Sequence, residues 1–310
     1  MNRPSISISG VAPSISFHKL QPLGQGGMGT VYRGLRVESR GLGDMSAMQV
    51  ALKMPSIGPD HDRSLRMLIA TQNRLGGEAL PGVVQPLGIV ECDGEQCLAM
   101  ELVDGRNLAE LNRDKFDLLE AISIIMSVIR GLKNLQKKIS GHGDLNFKNI
   151  ILSEKDGTAK VLDFEMAMCH FEKMFNEDEV GGTFGYIAPE LIGRESPSAQ
   201  SDIFSLGMIF TDMLIGRHPF GEDKKQAQIE ILRGTLMPSI TLDRHKSVER
   251  ELNRVIKKAC ATKKEERYQT FDSFAKDLAR LVLLIPLEER EKMDQHTYNR
   301  LAQWNNPLND

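Results

Sequence analysis

The chain of 310 residues is poor in cysteine. Its four thiols, Cys92, Cys97, Cys169 and Cys260, show neither the spacing of metal ligands nor a dense disulfide framework. A pair across a hairpin is geometrically allowed for Cys92 and Cys97. Reduced thiols of a cytosolic protein are the favoured interpretation, because disulfides are rare in that compartment.

Long apolar runs are also absent. The apolar stretch at residues 281–287 is interrupted by Pro286 and is far shorter than the roughly 20 residues of a transmembrane helix. Residues 1–16 alternate serine with isoleucine and lack the basic and continuous apolar regions of a secretory signal. We expect a flexible tail or a short edge strand there, although a bacterial secretion machine could read such a start. The sequence thus predicts no membrane segment and a cytoplasmic protein, in its own cell or, as a secreted effector, in a host.

An excess of one charge is the third absence. The formal net charge is −3, so no global field favours nucleic acid or an anionic membrane surface as a partner. Hydrophobic residues make up 41% of the chain and charged residues 26%, which is typical of a globular protein. The length is sufficient for one large domain or for two lobes around a shared cleft.

The hydrophobic pattern changes along the chain. Up to residue 90 it shows β-branched runs separated by glycines, which predict strands, and one helical stretch at residues 63–74. From residue 108 onward apolar residues recur at helical spacing, with Ser201 as the expected N-cap of one helix and Gly216 as its end. We predict an α+β fold with the following parts: a tail (1–16), a β-rich N-lobe (17–101), a mainly helical C-lobe (105–284) and a C-terminal extension (285–310).

A glycine-rich turn is the first feature that indicates nucleotide chemistry. Gly24, Gly26 and Gly29 have the spacing GxGxxG, and glycines let a backbone approach phosphates and donate N–H groups to them. Strand-like sequence continues through Val31, so the turn is a hairpin rather than the start of a helix. By itself the motif would as often be an ordinary glycine-rich hairpin.

A lysine inside an apolar strand strengthens this interpretation. Lys53 lies in the sequence VALKM, and burying a lone ammonium group is costly. Alone, such a lysine could extend to solvent along the strand. Together with the glycine-rich turn it indicates nucleotide binding.

Three polar residues have the spacing of a phosphoryl-transfer loop. Asp144 is followed five residues later by Asn149 and, fourteen residues after that, by Asp163. In such a loop the first Asp takes the proton of the substrate hydroxyl, while the Asn and the second Asp hold Mg²⁺ against ATP.

These ordered motifs identify a family resemblance. The chain resembles the eukaryotic-like (Hanks-type) Ser/Thr protein kinases, and LGQGGMGTVYRG at residues 23–34 is similar to their bacterial branch. The resemblance covers residues 17–284 and includes GTFGYIAPE at 182–190, DIFSLG at 202–207 and a late Arg267. It implies a bilobal kinase fold, ATP and Mg²⁺ as cofactors, and a protein substrate with a Ser or Thr hydroxyl.

The resemblance also implies a role for individual residues. The residues implied to contact the nucleotide are Gly24, Gly26, Gly29, Val31, Ala51, Lys53, Met100, Glu101 and Val103. Those implied in catalysis are Asp144, Lys53, Lys148 and Thr183, and those implied to bind the metal are Asn149 and Asp163. Glu190 is expected to pair with Arg267, and Asp202 is expected to support the catalytic loop.

Two departures from the family pattern concern regulation. Gly143 stands where most regulated kinases carry the Arg that pairs with a phosphate on the activation loop. The segment between Glu165 and Gly182 contains no Ser, Thr or Tyr. We therefore expect a kinase of the non-RD type that does not depend on phosphorylation there. Glu165 replaces a Gly and is expected to limit flipping of the metal-binding segment, and Thr183 is expected to line the catalytic site.

Other departures concern charge. Asn146 replaces the lysine that usually neutralises the transferred phosphate, and Lys148 is the candidate substitute. No acidic residue lies between Arg63 and Gly77 to pair with Lys53, so Gln72 or a folded-back Glu78 are the candidate partners. The missing acid leaves a pseudokinase scaffold as one alternative. A small-molecule phosphotransferase is the other, since HGDL at 142–145 is similar to the loop of antibiotic and choline kinases.

Overall fold

The computed structural model describes residues 14–26, 29–39, 45–111, 116–164, 166–168, 185–221, 223–235, 237–242 and 245–304. The chain forms two compact units. The first contains residues 1–77 and 85–102, and the second contains residues 78–84 and 103–310. The first carries a five-stranded sheet and the second is mainly helical, which confirms the predicted α+β class.

The first unit is an antiparallel sheet with one helix. Its strands are β1 (Ser14–Gly26), β2 (Gly29–Ser39), β3 (Met45–Pro55), β4 (Pro86–Cys92) and β5 (Glu95–Glu101). The strand order is β1-β2-β3-β5-β4. Helix α1 (His61–Leu75) begins two residues before the predicted start and therefore includes Asp62 in its first turn.

Alternate residues of β3 form the apolar core of this unit. Val50, Leu52 and Met54 are buried together with Cys92 and Cys97. Both thiols are free. Burial raises the pKa of the Cys97 thiol to about 12, so this sulfur stays protonated and packs as a small apolar side chain.

The second unit has a small sheet and most of the helices. Strands β6 (Gly105–Asn107), β7 (Ile150–Ser153) and β8 (Ala159–Val161) form the sheet. The helices are α2 (Leu118–Gln136), α3 (Pro189–Ile192), α4 (Ala199–Ile215), α5 (Lys224–Leu232), α6 (Lys246–Ala259), α7 (Phe271–Leu284), α8 (Leu287–Arg290) and α9 (Gln295–Ala302). Short 3₁₀ turns occupy Phe147–Asn149 and Lys264–Glu266. Within the described residues, no helix is both long enough and apolar enough to cross a membrane.

Helix α4 is buried along most of its length, as expected for a helix at the centre of a domain. Its N-cap is Ser198 rather than the predicted Ser201. The two serines form a reciprocal capping box, in which each side chain accepts from the backbone N–H of the other. Gly216 ends the helix with a φ of +74°, as predicted.

The C-terminal extension packs on α2. The buried guanidinium of Arg300 donates to Ser123 Oγ and to the Gly157 carbonyl, both at 2.8 Å, and to Thr297 Oγ1 at 3.0 Å. Trp304 Nε1 donates to the Met126 carbonyl at 3.2 Å. Residues up to 304 therefore belong to the packed second unit.

We predict that Arg300→Ala lowers the free energy of unfolding by about 2–3 kcal/mol, because it leaves buried acceptors without their donor. Arg280→Ala is the control, since its side chain is exposed and its ion pair with Asp277 spans 3.9 Å. This control should change stability by less than about 0.5 kcal/mol. Urea denaturation of both variants measures the difference, and equal losses would contradict a structural role for the extension.

Candidate active site

One face of the first unit's sheet carries five of the nine predicted nucleotide contacts. Gly24 pairs with Val31, Val31 with Lys53, and Ala51 with Met100. Residues directly opposite in an antiparallel pair share a face, as do residues two apart on one strand. These five residues consequently share one face, while the alternate residues of β3 enter the apolar core.

The glycines of the turn differ in how closely other atoms approach them. At Gly24 and Gly26 an added Cβ would meet no atom of the described residues within 4 Å, so there is open space on that side of the backbone. At Gly29, where φ is +141°, a Cβ would lie 1.9 Å from the Met54 carbonyl oxygen. Gly29 is thus required by the close approach of β2 to β3, whatever else it contacts.

Neither candidate partner proposed for Lys53 binds it. The Lys53 side chain is buried in β3. Glu78 instead pairs with Lys138 at 2.8 Å in the second unit. Gln72 Oε1 is buried and accepts no hydrogen bond from the described residues.

At the end of β5, the Glu101 N–H donates to the Gln85 carbonyl at 2.9 Å.

In the second unit, a buried carboxylate holds the loop of residues 142–149, which contains the predicted catalytic Asp144. The N–H groups of His142 and Gly143 donate to the two oxygens of Asp202 at 2.8 and 2.9 Å. Asp202 lies in the first turn of α4 and is 1% exposed. Burial raises the pKa of its carboxyl to about 6, while the hydrogen bonds from the two N–H groups act to lower it. The predicted support of the loop by Asp202 is confirmed.

Asp144 and Asn149 are joined directly. Asn149 Nδ2 donates to the Asp144 carbonyl at 2.8 Å and approaches its Oδ2 at 3.3 Å. Since a carbonyl only accepts, the nitrogen of this amide must face Asp144, and its oxygen faces away. The Leu162 N–H donates to the Asn149 carbonyl at 3.1 Å, which places Asp163 one residue from the loop.

The backbone of Asp163 is in the left-handed region, with a φ of +67°. This conformation is uncommon for a residue other than glycine and is found preferentially at functional sites. The His142 ring contributes to the local order, because its Nδ1 accepts from the Asp144 N–H at 3.2 Å while Nε2 contacts the Leu162 carbonyl at 2.9 Å. The two contacts together require the neutral tautomer with a proton on Nε2.

The donor chemistry fits magnesium. Asn149 and Asp163 offer an amide oxygen and a carboxylate, the hard oxygen ligands that Mg²⁺ takes. In the described part of the chain, no cluster of three or more His, Cys, Asp or Glu could hold a metal by itself. A Mg²⁺ ion here would therefore depend on phosphate oxygens as further ligands.

The other predicted catalytic residues differ in position. The Lys148 side chain is exposed on the 3₁₀ turn beside Asn149. Thr183 and Glu165 lie outside the described residues, so their roles remain predictions.

Gly143 is required by its surroundings. Its φ is +81°, and a Cβ would lie 2.7 Å from Pro197 Cγ and 3.1 Å from Met166 Cγ. A side chain at this position would therefore collide with a rigid proline ring. The packing of Pro197 against position 143 is therefore consistent with a glycine there instead of the arginine of most regulated kinases.

The predicted pair of Glu190 and Arg267 is confirmed. Arg267 Nη1 and Nη2 donate to the two Glu190 oxygens at 2.7 and 2.8 Å. The three remaining guanidinium donors bond to the carbonyls of Ala261, Gln200 and Thr262. All five donors of this buried side chain are satisfied, so the ion pair holds residue 190 rigidly.

The sequence did not predict the side chains that form hydrogen bonds to the backbone of residues 185–187. Gln228 accepts from the Gly185 N–H at 3.1 Å and donates to the Ile187 carbonyl at 3.3 Å. Ser205 Oγ donates to the Tyr186 carbonyl at 2.8 Å, and the Tyr186 hydroxyl donates to buried Asp212. Gln228 follows Gly185 by 43 residues and carries no local signal that could have identified it.

Comparison with known proteins agrees with this geometry. The family model described as "Protein kinase domain" matches residues 17–278. The chain is 28% identical over 264 residues to probable serine/threonine-protein kinase PknB of Lactococcus lactis, covering 84% of this chain and 41% of that protein. It is also 28% identical over 267 residues to serine/threonine-protein kinase Pkn1 of Myxococcus xanthus, covering 84% and 37%. A third relative, probable serine/threonine-protein kinase pknA2 of Bifidobacterium longum, is 28% identical over 225 residues, covering 72% and 28%. The chain thus spans less than half the length of these relatives.

We predict a pH-dependent stability difference between the wild type and Asp202→Asn. The folded pKa of about 6 lies above the ordinary 3.8, so the folded state binds more protons than the unfolded state between these values. The contribution of Asp202 to stability is present below pH ~4 and is lost as pH rises through 6. Lowering the pH from 7 to 4 should raise the free energy of unfolding of the wild type relative to the variant by up to about 3 kcal/mol. Urea denaturation across this range measures it, and a constant difference would contradict it.

Proposed function

The chain belongs to the protein kinase domain family, and from this premise we propose that it transfers the γ-phosphoryl group of ATP to a Ser or Thr hydroxyl of a protein. One observation carries the proposal. Asp144 and Asn149 are hydrogen-bonded to each other in a loop that Asp202 holds from α4. The relatives named as serine/threonine-protein kinases support the class of substrate.

Asp144, Asn149 and Asp163 each have a role in the proposed reaction. Asp144 accepts the proton of the attacking hydroxyl and orients its oxygen toward the phosphorus. The Asn149 amide oxygen and the Asp163 carboxylate would hold Mg²⁺, which neutralises charge on the phosphates when it is bound.

The remaining roles concern the phosphates. Lys53 and the open backbone at Gly24 and Gly26 orient the phosphate groups of ATP. The exposed ammonium of Lys148 provides positive charge for the transferred group, in place of the lysine absent at position 146. For Thr183 we propose the catalytic role that the family resemblance implies.

We further propose that phosphorylation of the segment between Glu165 and Gly182 is not needed for activity. This segment offers no hydroxyl side chain to modify. The packing of Gly143 against Pro197 supports the proposal, because an arginine that could bind a phosphate has no room there.

A pseudokinase remains the second candidate, because one observation favours it. Helix α1 has no acidic residue after Asp62, and Asp62 itself is exposed in the first turn. A kinase whose helix does not carry the usual acidic residue could bind ATP without transferring its phosphate.

We predict that Asp144→Asn lowers transfer of radiolabelled phosphate from ATP to a generic protein substrate by about a thousandfold, because the general base is lost. ATP affinity should be retained, as measured by isothermal titration calorimetry. Asp60→Asn is the matched control, since Asp60 is exposed and makes no side-chain capping bond.

Other outcomes of this assay separate the alternatives. If the wild type binds ATP and transfers nothing, the protein is a pseudokinase and the proposal is wrong. If it transfers phosphate only to sugars or amines, it is a small-molecule phosphotransferase.

We also predict that treatment with a protein phosphatase leaves the transfer rate within about twofold of the untreated rate. The reason is that Asp202, and not a phosphate, holds the loop of residues 142–149. Mass spectrometry of peptides covering residues 166–181 should detect no phosphate. Loss of activity after phosphatase treatment would show that a phosphorylated residue elsewhere controls the enzyme.

A further inference from the structure

One side chain of the catalytic loop bonds to two functional positions at once. Asn146 Nδ2 donates to the Asp144 carbonyl at 3.1 Å and approaches Asp144 Oδ1 at 3.4 Å. Asn146 Oδ1 accepts from the Lys148 N–H at 2.9 Å. The Asn146 side chain is buried, with 5% of its surface exposed. It therefore contacts the proposed general base and the backbone of Lys148, and it is little exposed to solvent.

The chemistry of these partners fixes the orientation of the amide. The Lys148 N–H can only donate, so it must face the amide oxygen. The Asp144 carbonyl can only accept, so it must face the amide nitrogen. Both requirements are met by a single orientation, and this orientation presents an N–H to the Asp144 carboxylate.

The Asp144 carboxylate is thereby approached from two sides. Asn146 approaches Oδ1 at 3.4 Å and Asn149 approaches Oδ2 at 3.3 Å. Both amides are also anchored on the Asp144 carbonyl, which fixes their distance from the carboxylate. Two neutral donors placed in this way restrict rotation of the carboxylate about its Cβ–Cγ bond.

We propose that Asn146 is a positioning residue for Asp144, an inference that rests on the proposed function. A neutral amide cannot neutralise a phosphate as a lysine would, so Asn146 has a different task from the residue it replaces. It holds the general base in the direction of the substrate hydroxyl. A lysine at this position could donate to Asp144 but could not accept from the Lys148 N–H.

The same side chain begins the 3₁₀ turn of residues 147–149, and an experiment must separate this capping role from positioning. Asn146→Ser is neutral, and its hydroxyl can still accept from the Lys148 N–H, but it is too short to reach the Asp144 carboxylate. Asn146→Asp keeps the accepting oxygen and loses the donor. Asn146→Ala loses both functions.

Steady-state kinetics with ATP and a protein substrate test the proposal. We expect kcat to fall about tenfold in Asn146→Ser and Asn146→Asp, the loss equivalent to one hydrogen bond. KM for both substrates and the melting temperature should stay near wild type in Asn146→Ser. Asn146→Asp also places a second carboxylate against Asp144 and should melt at a lower temperature. Asn146→Ala should lose kcat and melt at a lower temperature.

Asn299→Asp is the matched control. It adds the same charge on α9, and its Oδ1 keeps the hydrogen bond from Gln295 Nε2, which is 2.8 Å long. Its kinetics should equal those of the wild type.

Three results would overturn the inference. Wild-type kcat in Asn146→Ser and Asn146→Asp, with a defect in Asn146→Ala alone, would reduce Asn146 to a capping residue. A change in KM without a change in kcat would assign it to substrate binding. If the wild type transfers no phosphate, the proposed function itself fails, and no reaction remains for Asn146 to support.

Discussion

The buried carboxylate of Asp202 is the contact on which the rest of the catalytic loop depends. It accepts from two consecutive backbone N–H groups, so it fixes both the position and the direction of the chain that enters Asp144. A carboxylate in this place is costly, as its raised pKa shows, because burial disfavours the charged form. The two N–H groups offset part of that cost. The left-handed backbone of Gly143 then turns the chain so that Asp144 is only half buried.

Helix α4 is the platform for this arrangement. Besides Asp202, it provides Ser205, which holds the Tyr186 carbonyl, and Phe204, whose ring lies 4.8 Å from the Arg267 guanidinium. The Gln200 carbonyl accepts from the same arginine. The loop that carries Asp144, the proposed general base, and the segment that ends in Glu190 are therefore both anchored to helix α4. Helix α4 is buried along most of its length and capped at both ends, as suits an element that positions other groups.

The loop also shows how departures from a family pattern can be compensated by the groups that surround them in the structure. At position 143 the absence of a side chain is matched by the packing of Pro197 and Met166. At position 146 an amide replaces a charged side chain and takes up two hydrogen bonds that a lysine could not make together. The positive charge is then two residues further along, on the exposed side chain of Lys148.

The sequence by itself determined the α+β class, the strand that carries Lys53, and the roles implied for Asp202, Glu190 and Arg267. The class and the strand follow from periodicity, whereas the three roles are implied by the family resemblance, because their contacts join residues that are far apart in the chain. Only the tertiary structure decided the rest. The start of α1, which lacks a side-chain capping bond at Asp60, gave no clear local signal.

The sequence could not show that Glu78 binds Lys138, that Gln228 holds Gly185, or that Arg300 fixes the C-terminal extension on α2. Each of these contacts joins residues more than forty positions apart. Which polar groups meet at such separations depends on how the packed helices bring them together and not on the residues that flank them.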